Sequence, residues 1–155
     1  MCSSDLTPSD FVRDAVATAQ EQGLVVVAAV GNEATGKAEY PAAYDGVVGV
    51  AATVPSGSTW ENSNYGDFVD LAAPGTAQLP VGYNGPPGRY AGTSAATAYT
   101  AGLIAQWMTQ NPGATSAQAV EALNASLTDA GDPGRDPKYG IGALDANAVS
   151  KLLGR

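Results

Sequence analysis

Two polar side chains in this sequence stand where covalent chemistry is done. The first is Ser94, in Ala91-Gly92-Thr93-Ser94-Ala95-Ala96, where a Gly/Pro-rich stretch gives way to a run of small and apolar residues. A hydroxyl at the start of a helix lies beside N–H groups without intrahelical partners and at the positive end of the helix dipole. That setting stabilises the oxyanion formed in acyl transfer. The second is Asn32, which follows an apolar run over 24–30 and then Gly31. Ligands of α/β sheets gather beyond the carboxyl ends of the strands, and a carboxamide there is placed to donate a hydrogen bond to such an oxyanion. Each residue also has a plain structural reading, Ser as a helix cap and Asn as a turn residue. The hydrolase pattern Gly-x-Ser-x-Gly is not matched, because Ala96 replaces the second glycine.

The elements that must position these two residues follow from the apolar pattern. A helix is predicted from Ser9 or Asp10 to about Gln22, with Phe11, Val12, Ala15, Val16 and Ala19 on one face and Gly23 as its stop. Residues 24–30 and 47–52 are continuous apolar runs, the signature of strands buried on both faces of a parallel sheet. A third short strand is predicted over 68–72, stopped by Pro74-Gly75, and residues 76–90 read as loop, with a turn cluster Gly85-Pro86-Pro87-Gly88. A helix over 94–110 carries no charged residue, which predicts burial on most sides. Asn111-Pro112-Gly113 ends it, and Thr115 with Gln118 forms a capping box for a helix to about Leu127. Tyr139-Gly140-Ile141-Gly142 forms a tight turn before a last helix over 145–153. Strands interleaved with helices make an α/β domain over residues 7–155. Residues 1–6, Met-Cys-Ser-Ser-Asp-Leu, are read as a non-native leader.

Composition narrows the function. The chain has 155 residues, is 45% hydrophobic and 14% charged, and carries a net charge of −8, which describes a globular domain with a core. Its seven basic residues are scattered, which argues against nucleic acid or an anionic membrane surface as partner. No apolar run approaches the length of a membrane span, and no signal peptide is visible. The single cysteine, Cys2, allows no internal disulfide. There is no histidine, so no complete Ser-His-Asp set lies within the chain. Gly36-Lys37 hints at a phosphate loop, but neither phosphate-binding pattern follows a strand.

Taken in order, five segments resemble the subtilases, the subtilisin-like serine peptidases. Val26-Val27-Ala28-Ala29-Val30-Gly31-Asn32-Glu33 is similar to the family's oxyanion-asparagine strand, and Tyr40-Pro41-Ala42-Ala43-Tyr44 with the run at 47–52 to its next loop and strand. Asn62-Ser63-Asn64-Tyr65-Gly66 through Ala73-Pro74-Gly75 resembles the segment before the catalytic serine, and Gly92-Thr93-Ser94-Ala95-Ala96 the serine motif itself. Tyr139-Gly140-Ile141-Gly142 resembles the family's C-terminal end. Ala98, Asn62 and Ala95 depart from the proline, phenylalanine and methionine usual at their positions.

The resemblance implies the C-terminal portion of a three-layer subtilisin-like fold, a mostly parallel sheet flanked by helices. It implies Ser94 as nucleophile, with Asn32 and the Ser94 N–H as oxyanion donors. Ala28, Ala29, Val30 and Gly31 would line the pocket for the substrate side chain N-terminal to the scissile bond, with Gly92 and Thr93 also against the substrate. A cis peptide is implied at Tyr40-Pro41. The family's catalytic Asp and His precede the asparagine strand, and Asp5, Asp10 and Asp14 do not sit in its aspartate motif. The chain alone is therefore expected to be nearly inactive. A polypeptide is the implied substrate, export the implied destination, and no cofactor is needed for catalysis. Many relatives bind structural calcium, but Asp45, Asp67 and Asp70 are too scattered to be assigned a site. The alternative function is a non-catalytic fragment that binds a partner chain through the edge of its sheet.

Overall fold

The computed structural model describes residues 7–79 and 88–155. The leader at 1–6 and the Gly85-Pro86-Pro87 part of the turn cluster lie outside the described residues. The elements run α1 (Asp10–Glu21), β1 (Val27–Ala29), β2 (Val48–Thr53), β3 (Leu71–Pro74), β4 (Thr76–Leu79), β5 (Gly88–Ala91), α2 (Thr93–Gln110), α3 (Ser116–Ser126) and α4 (Ala146–Leu152). Strands β1, β2 and β3 form a parallel sheet in that order, with Val27 opposite Val48 and Val50 opposite Leu71.

The two-residue period of the strands divides the core into two layers. Val48, Val50, Ala52, Leu71 and Ala73 point to one face, where Ala96, Leu103 and Ile104 of α2, Leu123 of α3 and Leu152 of α4 cover them. Ala28, Val30, Ala51, Val69 and Ala72 belong to the other face, against which Val16 of α1, Tyr44, Phe68 and Tyr139 pack. This is the expected three-layer arrangement. Strand β2 is central and buried at every residue, as its unbroken apolar run predicts. The capping box of α3 is present, with both Thr115–Gln118 bonds made, and Asp145 caps α4 by accepting the Ala148 N–H at 2.8 Å. The Tyr40–Pro41 peptide is cis.

Five expectations need correction. The strand predicted over 24–30 shortens to β1, because the Leu24 N–H still closes α1 on Ala19 O at 3.0 Å and Leu24 is 56% exposed. As an edge strand, β1 is also buried less evenly than β2. On α1, Phe11 is 83% exposed, whereas Val12, Val16 and Ala19 are half-buried; Phe11 lies about 100° around the helix from Val12. The third strand starts later than predicted. Residues 66–69 turn instead, with the Val69 N–H on Gly66 O, and Arg135 takes the Asp67 and Val69 carbonyls at 2.9 and 2.8 Å. Residues 76–79 and 88–91 are not loop but an antiparallel ribbon, Thr76 opposite Ala91, held by backbone pairing. Helix α2 buries one stripe only, Thr93, Ala96, Thr100, Leu103 and Ile104, and Tyr99 on its other side is 40% exposed. An uncharged helix is thus one-sided among the described residues.

Close backbone approach makes one glycine of β2 indispensable. A Cβ on Gly49 would lie 2.1 Å from the Phe68 carbonyl oxygen, which is backbone and has no rotamer to escape into. Gly49→Ala is expected to destabilise the chain by about 3 kcal/mol. A urea unfolding midpoint unchanged from wild type would contradict this contact.

Candidate active site

Because β1, β2 and β3 are parallel, their carboxyl ends share one edge of the sheet. Gly31 and Asn32 leave β1 at that edge. The chain reaches it again 61 residues later, at the start of α2, where the Asn32 side chain meets Thr93. The β4–β5 ribbon makes this return, and the Gly92 N–H donates to Gly75 O at 2.9 Å just before the helix begins.

The contact between the two segments is specific. Asn32 Oδ1 accepts the Thr93 backbone N–H at 2.9 Å and the Thr93 hydroxyl at 2.8 Å. A backbone N–H only donates, so the carboxamide oxygen must face Thr93 and the NH₂ end must face away. Thr93 is fully buried, and its carbonyl accepts the Thr97 hydroxyl at 2.8 Å. Gly92 packs beside this pair; a Cβ there would lie 3.5 Å from Asn32 Oδ1. Gly92, not Ser94, is the N-cap residue of α2, and Asn32 Oδ1 meets the first N–H of the helix from outside it. Ser94 is the second residue of α2, half-buried, one residue beyond the side chain that anchors Asn32. Nor does Asn32 occupy a left-handed turn position: among the described residues, Ala34 is the non-glycine residue with positive φ, at 54°.

The expected pocket residues separate by burial. Ala29 and Gly31 are half-buried, whereas Ala28 and Val30 are core residues, with Val30 at 0% exposure and its N–H on Val50 O at 3.3 Å. The edge therefore joins Asn32, Gly92, Thr93 and Ser94, with Ala29 and Gly31 alongside.

Two neighbours of the site had no assigned role in the sequence. Glu33 Oε2 accepts the Asn32 backbone N–H at 2.8 Å and the Asn64 side-chain amide at 3.1 Å. Asn64 is 1% exposed, and its Oδ1 accepts the N–H groups of Glu33 and Thr35 at 2.9 and 3.2 Å. The motif Asn62-Ser63-Asn64-Tyr65-Gly66 was legible, but a polar residue's burial is not readable from its type.

Asp70 is committed to the fold: Oδ2 accepts the Gly49 N–H at 2.8 Å and Oδ1 lies 3.3 Å from Arg135. Among the described residues no group of three or more His, Cys, Asp or Glu side chains is arranged to hold a metal ion. No helix among them is long and apolar enough to cross a membrane.

Comparison with known proteins agrees with this geometry. Residues 3–142 match the subtilase family. The chain is similar to the minor extracellular protease Epr of Bacillus subtilis (strain 168), with 38% identity over 141 residues, which is 90% of this chain and 22% of Epr. It is similar to subtilisin Savinase of Lederbergia lenta, with 34% identity over 148 residues, covering 94% of this chain and 53% of Savinase. Among solved structures, the prenylagaramide maturation protease PagA superimposes with a TM-score of 0.79 at 26% identity, over 94% of this chain and 57% of PagA. The chain thus spans between about a fifth and about half of these two curated relatives. With a family match over most of its length and a serine helix tied to a strand-end asparagine, this chain belongs to the subtilase family.

Proposed function

We propose that the chain carries the nucleophile and the oxyanion donors of a subtilisin-like serine endopeptidase. Ser94 Oγ attacks the carbonyl carbon of the scissile peptide bond. Its proton passes to a histidine, and the carbonyl oxygen becomes an oxyanion held by Asn32 Nδ2 and the Ser94 N–H. Collapse of this intermediate expels the amine, which takes the proton from the histidine, and leaves an acyl-serine. Water then attacks the ester by the same route and frees the acid.

The observation that carries this reading is the pair of hydrogen bonds from Thr93 to Asn32 Oδ1. They turn the amide end of Asn32 outward at the residue preceding Ser94. The first turn of α2 adds its positive field there. The histidine is not this chain's own, since its sequence contains none. We therefore read the chain as inactive alone and active when another polypeptide segment supplies the histidine and aspartate. Polypeptides are its substrates, and the likeness to the minor extracellular protease Epr supports a place outside the cell.

The test is hydrolysis of a chromogenic peptide by the chain alone, and by the chain co-folded with a segment bearing the aspartate and histidine of a subtilisin-like domain. Background turnover in the first case and clear turnover in the second are expected. Turnover by the chain alone would remove the requirement for an added histidine. No turnover in either case would sink the peptidase reading.

A further inference from the structure

The turn that carries Asn32 is held from behind by one buried side chain. The Asn64 backbone N–H donates to Gly31 O at 3.1 Å, and Asn64 Oδ1 takes the N–H groups of Glu33 and Thr35 at 2.9 and 3.2 Å. Its Nδ2 donates to Glu33 Oε2 at 3.1 Å, and the same carboxylate oxygen accepts the N–H of Asn32 at 2.8 Å. Asn64 therefore grips the chain on both sides of Asn32, Gly31 through its backbone N–H and Glu33 and Thr35 through its carboxamide, and through Glu33 it grips Asn32 itself. The bonds to Glu33 Oε2 are charge-assisted, the stronger kind.

The turn requires such ties. Ala34 sits at φ 54°, a left-handed conformation unfavourable for a residue with a Cβ, which persists only where the surroundings over-determine it. Gly31 is at φ 106°, and a Cβ there would lie 2.3 Å from Asn64 Nδ2, so the glycine is what lets the clamp close. At the other end, Thr93 pins the Asn32 side chain by its oxygen alone. A carboxamide held only at its oxygen swings about that point. A second anchor on the backbone of the same residue fixes the direction of its NH₂.

We propose that Asn64 is a positioning residue for Asn32: by clamping Gly31, Glu33 and Thr35 it aims the Asn32 amide at the place where the oxyanion forms. The aim matters to catalysis on the proposed function above. Misplacement of a reacting or stabilising group by about 1 Å costs up to about a hundredfold in rate.

Asn64→Asp tests this. It keeps the acceptors for Glu33 and Thr35 but places an oxygen where Nδ2 faced the Glu33 carboxylate. Like charges at that separation repel, so Glu33 is driven off the Asn32 N–H. In NMR spectra of the ¹⁵N-labelled chain, the backbone and side-chain amide resonances of Asn32 are expected to shift. In the co-folded peptidase kcat is expected to fall about tenfold with KM little changed. The double variant E33Q/N64D removes one of the two charges and so relieves the repulsion. No single atom of the new carboxamide can both accept the Asn32 N–H and donate to the new carboxylate, so both readouts are expected to return only in part. Unmoved Asn32 resonances in Asn64→Asp overturn the proposal. So does a double variant that remains as displaced or as unfolded as the single one. The NMR arm does not depend on turnover. Resonances that shift and recover as expected, together with an assembly that shows no activity, would uphold the clamp and refute the peptidase reading instead.

Discussion

Ser94→Ala is expected to abolish peptide hydrolysis by the co-folded peptidase, with kcat lower by about 10⁶, the scale known from removing the nucleophile of a subtilisin. The size follows from what remains. Without Oγ no acyl-serine forms, and the oxyanion donors and bound substrate can only assist direct attack by water, a residual effect of about 10³ to 10⁴ over the uncatalysed reaction. The loss is separable from misfolding. Gly92, not Ser94, is the N-cap residue of α2, and the bond from the Thr93 N–H to Asn32 does not involve Ser94, so alanine at the second helical position leaves both in place. Alanine is also the best helix former, and the half-buried Ser→Ala change is expected to move stability by about 0.5 to 1.5 kcal/mol, the scale of one hydrogen bond. The measurements are kcat on a chromogenic peptide and a thermal melt of the same preparation. Activity within tenfold of wild type would show that the nucleophile is another group.

Parts of this architecture were legible in the residue pattern because a local rule governed them. Residues 47–52 are apolar at every position, and β2 is buried at every position, since both faces of a central parallel strand are covered. Thr115 and Gln118 have the capping-box spacing and make both of its bonds. Other parts depend on partners distant in sequence. The third strand begins at Leu71 rather than at Phe68, because Arg135 occupies the Asp67 and Val69 carbonyls from the far end of the chain. The β4–β5 ribbon has only four residues in each strand, and the alternation Thr76-Ala77-Gln78-Leu79 is too short to stand out beside the Gly/Pro-rich sequence around it. The charge-free sequence of α2 suggested burial all round, yet the described residues cover only the stripe from Thr93 to Ile104. In the site, Ser94 and Asn32 were visible as residue types at element ends. The Thr93 bonds that join them and the Asn64 clamp behind them span 61 and 31 residues and leave no periodic trace.

Asn32→Asp is expected to lower kcat by about 10² to 10³ while KM changes little, the loss found when a subtilisin is deprived of its oxyanion asparagine. The aspartate variant separates donor from anchor. Its carboxylate still accepts both Thr93 hydrogen bonds, so the junction between the end of β1 and the start of α2 stays tied. What changes is the outward end, where an N–H donor becomes an oxygen carrying negative charge. In the ground state the scissile carbonyl gains little from that donor, so substrate affinity is almost unaffected. In the transition state the oxygen bears nearly a full charge, and the lost bond, about 3 to 4 kcal/mol, falls entirely on the barrier. Asn32→Ala removes anchor and donor together. It leaves the Thr93 N–H and hydroxyl buried without their acceptor, at a cost of about 1 to 3 kcal/mol in stability that the aspartate variant does not incur. The two variants should therefore share a low kcat and differ in their urea midpoints. If Asn32→Asp kept wild-type kcat, Asn32 would be only the latch of the strand–helix junction, and the oxyanion would have to be stabilised elsewhere.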